Sequence, residues 1–139
     1  SEWATIGVVD MVGRAVPDHE SATILLPAGA LGAAFMIFPN FAVIERYNTA
    51  DAYVIGVGLL SDRINGGDPF QTAWPRGDRA LNGAERVELQ GRLTAAGFDT
   101  TVIDGRIGPL TINAIRNYQL ANNITPDGYA SLRLLNRLR

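Results

Sequence analysis

Between Asn65 and Leu81 the chain carries Gly66, Gly67, Pro69, Pro75 and Gly77 among polar residues, with no apolar period. Such a stretch sustains neither helix nor strand. It divides the molecule into residues 1–67 and 81–139, joined by a linker at 68–80. Both pieces are small, and small chains bury a poor fraction of their surface. Each must therefore build a compact core from few elements or borrow one. Folding is expected of both, since 47% of the 139 residues are hydrophobic and 19% charged, a globular balance.

Beyond the linker, Asn82 followed by Glu85 reads as a helix N-cap with its capping-box partner. Leu89, Leu93 and Ala96 then recur at helical spacing, so a helix is expected over 83–96, ending at Gly97. A second helix starts at Gly108-Pro109, because proline suits the first helical position. Thr111, Ala114, Ile115, Tyr118 and Ala121 make its inward face. A third is expected from Tyr129 to the C-terminus, on Leu132, Leu135 and Leu138. Two tight Asp-Gly turns, Asp104-Gly105 and Asp127-Gly128, pin the three helices together.

Residues 1–67 have another pattern. The apolar runs Ile24-Leu25-Leu26 and Phe35-Met36-Ile37-Phe38 flank Ala28-Gly29-Ala30-Leu31-Gly32 and suit a hairpin of two strands. Asn48 looks like the cap of a helix from Thr49 to Ile64, with Asp51 in its favourable first turn. That helix is apolar nearly all round, and Gly56 and Gly58 allow another backbone close to it. Residues 1–67 offer too little to cover it, so part of the domain is expected to be missing, or a second chain to cover it. The fold class is thus mainly α, or α+β with a small hairpin.

Several function classes drop out on composition. The net charge of −2 gives no basic excess for a phosphate backbone, and nucleic acid is not an expected partner. All twelve basic residues are arginine, which reads as genome composition. There is no cysteine and one histidine, His19, so thiolate sites and multi-histidine metal sites are excluded. Asp99, Asp104 and Asp127 lack the spacing of a calcium loop. No metal or cofactor is expected. No apolar run approaches the ~20 residues of a membrane span. Arg76-Gly77-Asp78 reads as a solvated loop.

The string Ile103-Asp104-Gly105-Arg106-Ile107-Gly108-Pro109-Leu110-Thr111, with Ala114-Ile115, Tyr118-Gln119 and Asp127-Gly128 after it and Leu89-Gln90 before it, resembles the peptidoglycan-binding domain 1 family across 81–139. The preceding part resembles the C-terminal portion of the catalytic domain of lytic murein transglycosylases of the membrane-bound B type. Leu26-Pro27-Ala28-Gly29, Asn40-Phe41, Tyr47-Asn48-Thr49-Ala50-Asp51-Ala52-Tyr53, Gly58-Leu59-Leu60 and Asp62-Arg63-Ile64 carry that likeness, with Trp74-Pro75 at its close. The resemblances imply a partial lysozyme-like transglycosylase domain followed by a three-helix binding module, working on peptidoglycan in the periplasm. The implied reaction cleaves the bond between N-acetylmuramic acid and N-acetylglucosamine without water. One glutamic acid protonates the leaving oxygen and then acts as base, while the muramyl 6-hydroxyl attacks to give a 1,6-anhydro product. Two-carboxylate glycosidases work differently; here a single acid must stay protonated by partial burial.

No residue of this chain matches that acid. In the family it lies on an apolar helix upstream of the matched region. Glu20-Ser21 is the only Glu-Ser pair and sits in a polar turn; Glu45 reads as a surface charge or arginine partner; Glu85 and Glu88 read as a solvated helix face. The catalytic set is therefore empty. For the glycan cleft the resemblance implies Tyr47, Asn48 and Tyr53 as substrate contacts, with phenol rings as flat platforms for sugar faces. They are expected to border one concave surface. For the wall-binding module it offers Asp104, Arg106, Thr111 and Tyr118, of which Asp104 reads first as a turn former and Tyr118 as core. Two readings remain: the chain is the C-terminal remainder of a lytic transglycosylase, or it is a non-catalytic peptidoglycan-binding or scaffold protein. The apolar helix at 49–64 favours the first, because it still demands partners that a decayed domain would have lost.

Overall fold

The computed structural model describes residues 2–16 and 21–139. It is mostly helical with one two-stranded sheet, and it divides into two compact units. The first comprises Ser1–Pro27 and Ala34–Ala73, the second Ala28–Ala33 and Trp74–Arg139. The main stretch of the second unit thus begins inside the segment read as linker.

In the first unit a short helix α1 (Glu2–Thr5) precedes the expected hairpin. Strand β1 (Thr23–Leu25) pairs antiparallel with β2 (Phe35–Ile37), with Thr23 opposite Ile37 and Leu25 opposite Phe35. Pro39 starts α2 (Pro39–Glu45) at a position where its missing N–H costs nothing. Helix α3 (Asp51–Ile64) begins later than expected, and its N-cap is Ala50, not Asn48. The Asn48 side chain accepts the Ala50 N–H at 3.0 Å. That bond closes an Asx turn ahead of the helix, and the α-helical ladder starts only beyond it. Of the many apolar residues on α3 only Val54 is buried, while Leu60 and Ile64 are 61% and 76% exposed.

The second unit holds α4 (Gly83–Ala95), α5 (Pro109–Ala121) and α6 (Leu132–Leu138). The capping box forms as read: Asn82 Oδ1 accepts the Glu85 N–H at 3.0 Å and Glu85 accepts the Asn82 N–H at 2.9 Å. Helix α6 does not reach back to Tyr129. Its cap is Ser131, whose hydroxyl accepts the Leu134 N–H. The residues before it are engaged otherwise: Tyr129 N–H binds Asp127, and Ser131 bridges to Ala80. Leu81, Leu89, Leu93, Ile115, Tyr118, Ala130, Leu134 and Leu135 form the core of this unit. Asp78, expected in a solvated loop, is buried, because its carboxylate accepts the Arg133 N–H at 2.8 Å and pairs with the Arg133 side chain.

Candidate functional site

In the second unit, two turns share one construction. Asp104 Oδ1 accepts the N–H of Arg106 at 2.8 Å, and Asp127 Oδ1 accepts that of Tyr129 at 2.9 Å. Each turn is then gripped by a glutamine from the preceding helix. Gln90 Oε1 accepts the Gly105 N–H at 2.7 Å while its Nε2 donates to Asp104 Oδ1, the Arg106 carbonyl and Thr111. Gln119 Oε1 accepts the Gly128 N–H at 2.9 Å while its Nε2 donates to Asp127 Oδ1 at 2.6 Å. Both glycines sit at positive φ, 74° and 72°, which explains the glycine after each aspartate. Gln90 and Gln119 are among the buried polar residues, and burial without these bonds would cost more than the bonds return. Sequence reading saw both turns but not the glutamines that hold them. The signal was present: each glutamine follows a core residue, in Leu89-Gln90 and Tyr118-Gln119.

This construction separates the four module residues. Thr111 is 3% exposed, with its hydroxyl bonded to Gln90 and the Arg106 carbonyl. Tyr118 is 9% exposed and packs edge-on against Phe98, ring centroids 5.5 Å apart. Asp104 and Arg106 are exposed. The Asp104 carboxyl is held below its usual range by the Arg106 N–H and then by the Gln90 amide.

The second turn walls a cavity of about 270 Å³ formed within the second unit. Its polar lining includes Asp78, Asn123, Thr125, Asp127, Tyr129, Arg133 and Arg137, and Ala28, Ala30 and Leu31 supply part of its apolar lining. The segment carrying those three residues is fastened by the Ala30 N–H, which donates to Asp127 Oδ2 at 2.8 Å.

In the first unit Tyr47 and Tyr53 come together, with ring centroids 5.8 Å apart and planes 31° from parallel. Tyr47 is 83% exposed and Tyr53 38% exposed, and Asn48 is also exposed. A cavity of about 270 Å³ between the hairpin, α2 and α3 is lined by residues that include Phe35, Phe41, Ile44, Val54 and Asp62, but none of these three. Glu45 lines another, of about 220 Å³, and makes no ion pair among the described residues.

The two module glutamates are engaged structurally. Glu85 pairs with Arg79 at 2.6 Å, and this bond with that of the Asn82 N–H lowers its carboxyl to about 2. Glu88 is bound by Arg139 and Arg92, and its carboxyl also falls to about 2. Both are ionised at neutral pH and have no proton to give. His19 and Glu20 lie outside the described residues. Among the described residues no three His, Cys, Asp or Glu side chains gather as metal ligands would.

Two family models match separate stretches of the chain. A family model described as "Transglycosylase SLT domain" matches residues 1–62, and one described as "Putative peptidoglycan binding domain" matches residues 82–138. The chain joins transglycosylase SLT domain sequence to a peptidoglycan-binding domain. Among solved structures, SltB3 from Pseudomonas aeruginosa in complex with NAG-anhNAM-pentapeptide matches at 42% identity with a TM-score of 0.92. The same protein in complex with NAG-NAM-pentapeptide matches at 42% identity and 0.90. Each superposition covers 99% of this chain and 38% of SltB3. No curated protein matches the chain significantly. The transglycosylase and binding-domain matches leave residues 63–81 between them, and the mostly helical fold matches that of SltB3.

Proposed function

We propose that this chain works on peptidoglycan in the cell envelope, in the periplasm, as part of a lytic murein transglycosylase whose binding domain holds it to the wall. The observation that carries this reading is the superposition of 99% of the chain, at 42% identity, on a protein crystallised with peptidoglycan fragments. In the reaction a general acid protonates the glycosidic oxygen leaving towards N-acetylglucosamine, and the C1–O bond of the muramyl residue breaks. The muramyl 6-hydroxyl oxygen bonds to C1, and its proton passes to the same carboxylate. No water is consumed, so the product is the 1,6-anhydro sugar.

This chain's own share in that reaction is binding. Glu85 and Glu88 are ionised in ion pairs, so neither serves as the acid. The Tyr47–Tyr53 pair offers exposed aromatic surface, suited to the apolar face of a sugar ring, with the Asn48 amide beside it in sequence. In the binding domain the exposed Asp104 and Arg106 are the candidates of the first turn, whereas Thr111 serves by shaping it from within and Tyr118 as core.

Co-sedimentation of the 139-residue chain with purified sacculi tests the reading. Retention above that of an unrelated acidic protein is expected; equal retention overturns it. The chain by itself is expected to release no anhydro-muropeptides above blank. Release that disappears in a Glu20→Gln variant would locate the acid within this chain. Tyr47→Ala and Tyr53→Ala should weaken retention on glycan strands stripped of peptide, and unchanged retention would remove the tyrosines from the substrate surface.

A further inference from the structure

In the cavity beside the second Asp-Gly turn, the acids are engaged within the fold and the cations are left for a ligand. Its two acids are committed inward. Asp127 spends Oδ1 on Gln119 and the Tyr129 N–H and Oδ2 on the Ala30 N–H. Asp78 spends its carboxylate on the Arg133 N–H and Nε. Its cations are not spent. Arg137 is exposed and makes no hydrogen bond or ion pair among the described residues. Arg133 meets Asp78 through Nε at 3.3 Å, and its two Nη groups make no hydrogen bond among the described residues. Tyr129 adds a phenol that burial, then Asp78 and Asp127, keep protonated well above neutral pH. What remains charged for a ligand is donors, two guanidinium forks whose geometry matches a carboxylate, beside the Asn123 amide and Thr125 hydroxyl, which can donate or accept.

We infer that this cavity binds a carboxylate of the peptidoglycan stem peptide, with Arg137 as its principal contact and Arg133 and Tyr129 as further donors. The inference rests on the peptidoglycan reading above and narrows it from the wall to one chemical part of it. The glycan backbone is neutral once its lactyl acids are amide-linked, whereas the stem peptides carry free carboxylates. A neutral sugar would gain little from two cations. At about 270 Å³ the cavity lies near the lower end of ligand-pocket sizes, room for a residue or two at a peptide end rather than for a disaccharide-peptide.

The test compares Arg137→Gln with the wild-type 139-residue chain on intact sacculi and on sacculi stripped of stem peptides by an amidase, the lactyl carboxylates that the amidase frees being then capped as methylamides so that the stripped glycan is neutral. Arg76→Gln is the charge control, since Arg76 is exposed, outside the cavity lining and without a side-chain bond among the described residues. Arg137 holds nothing together, so its variant should fold, and circular dichroism checks this. Arg137→Gln should weaken retention on intact sacculi about tenfold, the worth of one charge-assisted hydrogen bond. Retention on stripped glycan should not change, and Arg76→Gln should behave as wild type on both. Equal retention of Arg137→Gln and wild type on intact sacculi overturns the cavity assignment and leaves wall binding standing. A loss of equal size on intact and stripped material also overturns it, because the arginine would then act on glycan. Failure of the wild-type chain to bind intact sacculi overturns wall binding itself, and this assignment with it.

Discussion

Gln90 shows how one side chain can decide whether a loop exists as a defined surface. It is 1% exposed and binds the Asp104 turn, the Arg106 carbonyl and Thr111 together. Gln90→Ala would leave the Gly105 N–H without its acceptor and open a hole beside it. A loss of about 1–3 kcal/mol is expected in chemical denaturation, while Asp104→Ala, at an exposed position, should cost less. A second residue-scale prediction follows from Glu85 and Glu88, whose carboxyls fall from the ordinary 4.5 to about 2 in the folded chain. Between those values the unfolded chain binds more protons than the folded one, so stability rises with pH there. The contribution is complete above about pH 4.5 and disappears as pH falls towards 2. Thermal melts across that window should show Tm dropping on acidification, and Glu88→Gln should flatten the slope.

At the scale of elements, α4 and α3 make an instructive pair, because α3 is the more apolar and yet only α4 has its leucine stripe in a core. Leu89 on α4 is fully buried in the core, whereas Leu60 on α3 is 61% exposed. Leu89→Ala should therefore cost about 2–5 kcal/mol, and Leu60→Ala should stay within about 0.5 kcal/mol, both by urea denaturation of the 139-residue chain. Equal losses would mean that α3 is buried in solution by something that covers Leu60. The α4 cap was legible in sequence because both partners of its box lie within three residues. The Asn48 cap was misread because an Asx turn and an N-cap use the same side chain on neighbouring backbone, and only φ and ψ at Ala50 separate them.

At the scale of the whole molecule, the second unit includes a segment that sequence places far away. Residues 28–33 sit within the hairpin yet join Trp74–Arg139, through a bond between residues 97 apart. Gly29 lies at φ 66°, and a Cβ there would come within 2.7 Å of Asp127 Oδ2. Gly29→Ala should thus loosen the second unit from a position outside its main stretch. A chain beginning at Trp74 should likewise be less stable than the 139-residue chain, by about 1–2 kcal/mol for the lost bond and packing. Equal melting of the two chains would show that the segment adds nothing to the second unit.

The sequence by itself determined the features whose signals are local. The capping box at Asn82, the proline start of α5, the two Asp-Gly turns and the hairpin strands each depend on residues a few positions apart. The ordered motif strings pointed to both families for the same reason. Tertiary structure alone decided which polar groups face a ligand. Thr111 and Tyr118 matched the motif as well as Arg106 did, but the glutamine grip and the core turned them inward. Arg137 drew no notice as one arginine among twelve, and it became distinctive only when the acids near it proved to be occupied. Spacing along a chain fixes which backbone groups can meet, because helices and turns close over three or four residues. Whether a side chain is left free depends on what every neighbour in space has already bound, and that is set by the fold.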